Sequence, residues 1–528
     1  MPGTVHTSGT PSSTPAAILH SHRALLIAAA IIVLAIIAFI VILHSPLWPF
    51  EQAKIVKQLS EASDSQVTVR NFRKTYFPPG CVLDGVEFHH GNFSTPLITI
   101  RQLIVKGTYL GMLRHHLDRV TAVGMRVLIP PIGTGVTFHT INTHVVIDEF
   151  IADGSTLEIA EREKHPHPFL FTIHKAAVRQ VAAGRPMQVK LQLHMPEPPA
   201  EVQASGEFGP WQASGETPIS GEYALRNADL GHYDGIGGIL SSNGKFRGTL
   251  KHLDISGTTD VPDFVVKSGG HKIHLVTNFD AYEDARRGDT FLKRVDAHFG
   301  DTELIVQGSI AAVRGRPGKL TQLAFEAPQG RIQDVLGLFV THRPPMSGTT
   351  AMKAQVEIPP GTDSFLKRVK LRGTFGVDQG KFTKSVTQTD VDKLSAGARG
   401  KKKDDAPNVL TDLSGNVTLD KGTATFTDLR FAVPGVKARL HGTYSIINYR
   451  IDLHGPMRVD TKISHTTSGM KSFLLKLLDP IFKKKRKGEV VPVHIGGTYE
   501  HPQFGLDLGN NGNQHTVSMN EPPTHQRK

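Results

Sequence analysis

Short segments with a glycine at their centre recur along most of the chain, and they constrain its fold more than any other feature. Each places the glycine before a polar and then an apolar residue, as in Leu440-His-Gly-Thr-Tyr444. A glycine inside a strand marks a bend, a bulge or a close approach of neighbouring backbones. With 51 Gly and 33 Pro in 528 residues, the chain has too many turn formers for a helical bundle. Its 39% hydrophobic content is too high for a disordered chain, so the composition indicates a mainly β protein.

The segment 413–455 predicts the arrangement of these strands most clearly. Apolar or glycine positions alternate with polar ones in Leu413-Ser-Gly-Asn-Val-Thr-Leu419, and turn sequences follow at 420–422 and 434–435. This alternation predicts an antiparallel meander with one apolar and one polar face. An apolar face of this kind needs a cover.

An uninterrupted apolar segment, Ala24–Leu43, predicts a transmembrane helix. Its 20 residues carry no charge, and as a helix they would extend about 30 Å. A cleavable signal peptide is the alternative, but its apolar core is shorter and ends in small residues, unlike the sequence Leu43–Pro49. Trp48 and Phe50 follow at the position of an aromatic belt. Arg23, with no acidic residue before it, favours a cytoplasmic N-terminus and places the bulk of the chain across the membrane.

Helical spacing of apolar residues is rare outside this anchor. It predicts short helices at Glu51–Ala62, Gly107–Leu117 and Arg331–Val340. The segment Ser395–Pro407 is rich in Gly, Lys and Asp and predicts a flexible, charged loop.

A further helix is predicted at Met470–Phe482, directly before the basic run Lys483–Lys487. In one interpretation the helix packs on the end of the sheet and its lysines face water. In the other it lies at a membrane surface, where each basic residue attracts anionic head groups by about 1 kcal/mol. The candidate membrane-surface residues are Phe473, Leu474, Leu477, Leu478, Lys483, Lys484 and Lys485.

Eight short motifs keep a recognisable order along the chain. They are Pro79–Phe88, Pro96–Ile100, Val391–Gly400, Leu413–Gly415, Leu429–Gly435, Leu440–Tyr444, Gly469–Phe473 and Pro492–Phe504. Over residues 24–508 this order resembles the AsmA-like family, inner-membrane-anchored proteins of bacteria with two membranes. The resemblance implies an elongated, groove-like antiparallel β structure in the periplasm. It also implies a part in phospholipid movement between membranes, or in outer-membrane homeostasis and assembly, without catalytic residues.

The predicted fold is therefore mainly β: an elongated, twisted antiparallel sheet forming a β-taco-like groove, with one N-terminal transmembrane helix and a few short helices. The predicted divisions are a disordered cytoplasmic tail (1–23), the anchor (24–43), an N-terminal AsmA-like module (51–150), a central β groove (151–390), an AsmA-like C-terminal region (391–508) and a disordered tail (509–528).

No motif predicts catalysis or a bound cofactor. The chain lacks a G-x-S-x-G nucleophile turn and an H-E-x-x-H zinc helix. Cys81 is the only cysteine, which excludes a disulfide framework and a cysteine-based zinc site. No acidic or cysteine partner recurs at ligand spacing beside the 27 histidines, so these are interpreted as structural residues facing solvent. The prediction is no enzyme, no catalytic residue, no metal, no cofactor and, without aromatic residues among the basic ones, no nucleic acid.

The predicted function is the binding of lipid acyl chains against the apolar face. Each buried CH₂ contributes about 0.8 kcal/mol, so a lipid can be held without a specific polar contact. The candidate groove residues are Val417, Leu419, Phe426, Leu440, Tyr444 and Ile446.

The expected partners are phospholipid, the inner membrane and envelope proteins, with the chain crossing that membrane once and lying mostly in the periplasm. Two alternatives remain open from the sequence. The apolar face could close on itself in a non-enzymatic scaffold, or exposed strand edges could pair with client strands in an outer-membrane assembly factor.

Overall fold

Within the residues that the structure describes, the protein is built around one sheet of 24 strands, with few and short helices. A computed structural model describes residues 32–35, 37, 48–90, 95–129, 145–159, 169–182, 184–212, 216–267, 269–284, 288–313, 318–340, 343–399, 408–459, 490–498 and 501–507. Within these residues the chain is mainly β, which confirms the predicted fold class at that level.

The helices are α1 (Gln52–Ser63), α2 (Tyr109–Leu113), α3 (Ile332–Gly337), α4 (Phe365–Arg368) and α5 (Ser385–Ala398), and a 3₁₀ turn covers Leu230–His232. The strands are β1 (Gln66–Thr75), β2 (Gly80–His89), β3 (Ile98–Lys106), β4 (His116–Ile129), β5 (Val146–Ile159), β6 (Phe169–Val181), β7 (Met187–Pro196), β8 (Pro199–Phe208), β9 (Pro218–Asp229), β10 (Ile236–Gly237), β11 (Ile239–Thr249), β12 (His252–Val266), β13 (Ile273–Asp284), β14 (Asp289–Phe299), β15 (Thr302–Ala312), β16 (Lys319–Arg331), β17 (Met346–Ile358), β18 (Lys370–Phe382), β19 (Thr411–Asp420), β20 (Thr423–Val433), β21 (Val436–Ser445), β22 (Ile451–Val459), β23 (Val490–Gly497) and β24 (Pro502–Leu506).

Each strand pairs with the next one along the chain, except that β9 pairs with β11 and the short β10 pairs with β12. The pair β4–β5 is parallel, with His116 opposite Val146 and Ile129 opposite Ile159. The other pairings in the described part of the chain are antiparallel. The predicted antiparallel sheet is confirmed except at this one pair. A parallel pair needs a crossover of about a dozen residues or more, and the 16 residues between Ile129 and Val146 provide one.

A hydrophobic core lies at the N-terminal end of the sheet, where α1 packs against β1–β4; we call residues 48–129 the N-terminal module. Trp48 is 2% exposed, and its ring lies 5.6 Å from that of Tyr76 and 6.3 Å from that of Tyr109. Phe50 is buried beside it. The placement of Trp48 and Phe50 in a membrane-interface belt is therefore wrong, because both side chains fill this core.

The predicted short helices at Glu51–Ala62, Gly107–Leu117 and Arg331–Val340 are confirmed by α1, α2 and α3. The strands β19–β22 and their turns confirm the predicted meander.

Helix α5 covers one end of the sheet formed by β20–β23. Its Ala396 and Ala398 are buried in one cluster with Val436 and Val459. The loop predicted for Ser395–Pro407 is therefore wrong over its first four residues. Small alanines there gain burial against the sheet, which the charged local sequence does not reveal.

Two predicted elements fall mostly on residues outside those described. Of the anchor Ala24–Leu43, residues 32–35 and 37 are described, and they are helical. Among the described residues, no helix has the length and apolar character needed to cross a membrane. The segment 460–489 lies outside the described residues, and with it the membrane-surface candidates Phe473, Leu474, Leu477, Leu478, Lys483, Lys484 and Lys485.

Candidate functional site

One row of apolar residues crosses the sheet from β1 to β23 and passes through every strand except β10. Neighbours in the row are direct partners in adjacent strands, so their side chains lie on the same side of the sheet. The 22 residues are Phe72, Leu83, Leu103, Ala122, Ala152, Ala176, Leu191, Ala204, Tyr223, Gly244, Gly257, Phe279, Val295, Val306, Phe325, Ala354, Gly373, Val417, Phe426, Gly442, Leu453 and Ile495. Tyr223 is the only member with a hydrogen-bonding side chain.

A second row runs beside the first, two residues away along each strand except β14, where a register shift places Leu292 three residues from Val295. Its members are Val189, Gly206, Gly221, Phe246, Ile255, Ala281, Leu292, Gly308, Leu323, Val356, Leu371, Leu419, Ala424, Tyr444 and Ile451. We call the side of the sheet that carries both rows the apolar face. A surface this long with almost no hydrogen-bonding groups is suited to apolar ligands and unsuited to chemistry on polar ones.

Four of the six predicted groove residues belong to these rows. Val417 and Phe426 are direct partners in the first row. Leu419 and Tyr444 lie in the second row, on either side of Ala424. All four predicted side chains are half-buried, so they keep surface available for contact.

The other two predicted groove residues lie at the margins of the apolar face. Leu440 shares a strand and a side with Tyr444, but it is buried opposite Leu429. Ile446 directly follows β21, and its backbone N–H donates to the carbonyl of Gly422 at 2.9 Å. The structure therefore brings five of the six residues to one side of the sheet, leaves Leu440 little free surface and places Ile446 in the turn after β21.

Between residues 146 and 260 no described element forms a second layer on the apolar face. The buried apolar side chains in that part of the described chain are Ala152, Ala200 and Ala228, whereas larger ones such as Leu225 are half-buried. A dry sandwich or barrel buries the large side chains of its inner face. Over these strands the described residues do not form one.

Glycines on the apolar face allow adjacent strands to approach closely. Gly206 and Gly221 are direct partners, and a Cβ atom on Gly206 would lie 2.0 Å from the carbonyl oxygen of Ser220. Gly442 has a φ of +143°, and a Cβ atom there would lie 2.0 Å from the carbonyl oxygen of Asp452. A side chain at either glycine would displace the neighbouring strand.

The opposite side of the sheet, which we call the polar face, carries hydrogen-bonded and ion-paired side chains. Lys353 Nζ lies 2.7 Å from Glu326 Oε1, and the two residues are direct partners. Asp428 accepts hydrogen bonds from Arg430 at 2.7 Å and Arg439 at 2.6 Å. The bond from Arg430 in particular holds the pKa of Asp428 below its usual range. Exposed pairs of this kind contribute little stability, so this face is adapted to water.

A depression of about 960 Å³ on this side spans β4 to β11. Arg119 and Arg179 line it, and both contact Glu149, at 2.8 and 3.3 Å. Both arginines are thus already paired with Glu149, and the depression is an open, wet surface.

Sequence reasoning missed one cluster on the polar face, formed by Asp452, His454 and His494. One potential ligand atom from each residue lies within 4.8 Å of the others, and no second group of this kind occurs in the described ranges. Part of the signal was available, because Asp452-x-His454 in a strand places both side chains on one side. The pairing of His454 with His494 depends on the register of β22 and β23, which the sequence does not reveal.

No family model, curated protein or solved structure matches this chain. Its function must therefore be inferred from its own residues and geometry.

Proposed function

We propose that the apolar face lines an elongated groove that holds the acyl chains of membrane lipids, and that the protein contributes to phospholipid transport or envelope homeostasis. The observation that carries this proposal is the continuous apolar row, which no described element covers over residues 146–260, while the polar face is ion-paired. A two-faced sheet with its apolar side open is stable in water only if something apolar covers that side.

The dimensions of the sheet suit a lipid. At about 4.8 Å per strand, 22 strands place the row on the order of 100 Å from end to end. An acyl chain lying along it gains about 0.8 kcal/mol per buried CH₂. Half-buried members such as Phe246 and Phe279 leave surface for this contact, and the head group can stay in water. The proposal therefore implies weak head-group selectivity and no reaction.

The proposal includes membership of the AsmA-like family and a single transmembrane anchor at Ala24–Leu43. It places the N-terminus in the cytoplasm and the sheet in the periplasm, with phospholipid, the inner membrane and envelope proteins as partners. The helical residues Ile32, Val33 and Leu34 support an anchor, since more than half of each apolar side chain is exposed. Exposed apolar surface of this kind favours a lipid environment.

Photo-crosslinking in intact cells tests the groove without detergent. The photoreactive residue p-benzoylphenylalanine replaces Phe246 or Phe426 on the apolar face of the full-length chain. Matched controls carry it at Arg247 and Thr425, the adjacent residues on the opposite side of the same strands. Mass spectrometry then identifies what is attached after irradiation.

We expect phospholipid adducts at Phe246 and Phe426 and few at Arg247 and Thr425. Equal lipid adducts at all four positions would refute a groove. Protein adducts without lipid at the apolar positions would instead favour the assembly factor. Absence of any adduct at Phe246 and Phe426 would favour a scaffold whose apolar face is closed in the cell.

A further inference from the structure

The side chains around His454 form a second candidate site, on the polar face and independent of the proposed lipid groove. His441, His454 and His494 are successive direct partners across β21, β22 and β23. The Nε2 atoms of His454 and His494 lie 2.9 and 3.0 Å from the same oxygen, Oδ1 of Asp452. Three potential ligand atoms thus converge on one point at the C-terminal end of the sheet.

We propose that Asp452, His454 and His494 bind a divalent transition-metal ion of the Zn²⁺ class. Imidazole nitrogens combined with one carboxylate suit Zn²⁺, Cu²⁺, Ni²⁺ or Co²⁺, whereas Mg²⁺ and Ca²⁺ prefer oxygen ligands. The ring of His441 lies 6.4 Å from that of His454, within reach of a fourth coordination position.

The carboxylate of Asp507, which is not itself a proposed ligand, orients the proposed ligand His454. Nδ1 of His454 lies 3.1 Å from Oδ2 of Asp507, while its Nε2 faces Asp452. Metal-binding histidines commonly donate their second ring N–H to a carboxylate, which fixes the tautomer and directs the other nitrogen to the ion. Asp507 is therefore assigned as a positioning residue.

The hydrogen-bonding capacity of this group also favours a cation. Ionised carboxylates only accept hydrogen bonds, and a neutral imidazole has a single N–H. A neutral His454 can therefore donate to Asp507 or to Asp452 but not to both; only a protonated ring or a metal ion at Nε2 accommodates both contacts. A metal ion between His454 Nε2 and Asp452 Oδ1 satisfies both atoms at once.

Binding requires a small rearrangement of the rings. The imidazoles of His454 and His494 are stacked, with centroids 4.3 Å apart and planes 12° from parallel. Each ring must turn about its Cβ–Cγ bond to direct Nε2 at a common ion. Both side chains are half-buried and lie on the polar face, so this rotation displaces no core residue.

A metal titration of the full-length chain, purified in detergent without a polyhistidine tag, tests the proposal. The chain is stripped with a chelator, and Zn²⁺ is then added in competition with a chromophoric chelator. Co²⁺ is added in parallel, because a site of low coordination number gives intense visible absorption. The variants are His454→Gln/His494→Gln and the milder Asp507→Asn.

The matched control is His174→Gln/His194→Gln. Those two histidines also share a carboxylate, but they contact separate oxygens of Glu201, at 3.2 and 2.9 Å. The control removes the same number of histidines from the polar face without touching the proposed site.

We expect one tight equivalent of Zn²⁺ in the wild type and in the control, unaffected by excess Mg²⁺. The double variant should bind at least 100-fold more weakly and lose the Co²⁺ absorption, and Asp507→Asn should weaken binding about 10- to 100-fold. Circular dichroism verifies that each variant is folded. If the wild type binds no Zn²⁺, or if the His454→Gln/His494→Gln and Asp507→Asn variants bind it as tightly as the wild type, the proposal is overturned.

Discussion

The N-terminal module and the central sheet share the same row of apolar residues but bury it differently. In the module, Leu83, Leu103 and Ala122 are members of the row and are at most 4% exposed. In β7–β9 the row continues through Leu191 and Tyr223, which are half-buried. The two regions differ in cover: α1 and the aromatic residues around Trp48 lie over the module, whereas no described element covers β7–β9.

This difference shows that an alternating strand pattern does not by itself produce a core. An apolar side of a sheet becomes a dry interior only where a second layer removes it from water. Where that layer is missing, the same pattern leaves a surface that needs an external apolar partner.

The largest expected difference between the N-terminal module and the central sheet is in the reactivity of a cysteine thiol. Cys81 is the only cysteine, and burial in the module raises its pKa to about 12. A thiol with an ordinary pKa of about 8.5 is on the order of a thousandfold more ionised at pH 8. Iodoacetamide should therefore modify the Leu225→Cys thiol, in a chain that also carries Cys81→Ala, at least about a thousandfold faster than native Cys81. Mass spectrometry measures both rates; similar rates would mean that the module is open.

Truncating a leucine to alanine should lower the free energy of unfolding more in the module than in the central sheet. Leu83→Ala removes a fully buried side chain and should lower the free energy of unfolding of the module by about 2–5 kcal/mol. Leu225→Ala in the central sheet should cost less than about 1.5 kcal/mol, because the side chain is already partly in water. The two tryptophans report the regions separately: Trp48 lies in the module core, and Trp211 stacks on Phe208.

Urea unfolding followed by fluorescence measures both effects. A Trp211→Phe background isolates the signal of Trp48, and the difference from the parent chain gives the signal of Trp211. Equal losses of stability would mean that the central sheet has a cover in solution.

Replacing a glycine of the central sheet by alanine should cost more stability than the exposure of that glycine suggests. Gly206→Ala places a methyl group 2.0 Å from the carbonyl oxygen of Ser220 and should cost roughly 1–3 kcal/mol. Gly376→Ala is the control, since no atom lies within 4 Å of its Cβ position. Urea unfolding compares the two variants. If the Gly206→Ala variant is as stable as the wild type, the close approach of β8 and β9 is contradicted.

The smallest effect should come from the polar face. Lys353→Ala breaks the pair with Glu326, in which both side chains are largely exposed. Such pairs contribute about 0–1 kcal/mol, so the melting temperature should hardly change. A large loss, measured by circular dichroism, would show that this face packs against something in solution.

The sequence predicted the helices and strands better than it predicted which residues of different strands contact one another. The strands and turns of 411–459 follow from alternation and from Asp420-Lys-Gly422 and Pro434-Gly435, and α1 follows from the spacing of Ile55, Val56 and Leu59. Four candidate groove residues were found in the same way, because alternate residues of a strand share a side. The cluster around His454 was missed, because His494 comes from a different strand than Asp452 and His454.

By itself, the sequence determined the mainly β class, the two-faced strands and the recurrence of glycines inside them. These properties depend on a few neighbouring residues, because side chains alternate with a period of two along a strand. The tertiary structure alone decided that β4 and β5 run in parallel, that Trp48 enters a core, and that Asp452 meets two histidines. Each of these depends on register and on covering layers between segments far apart in the chain, which no local pattern encodes.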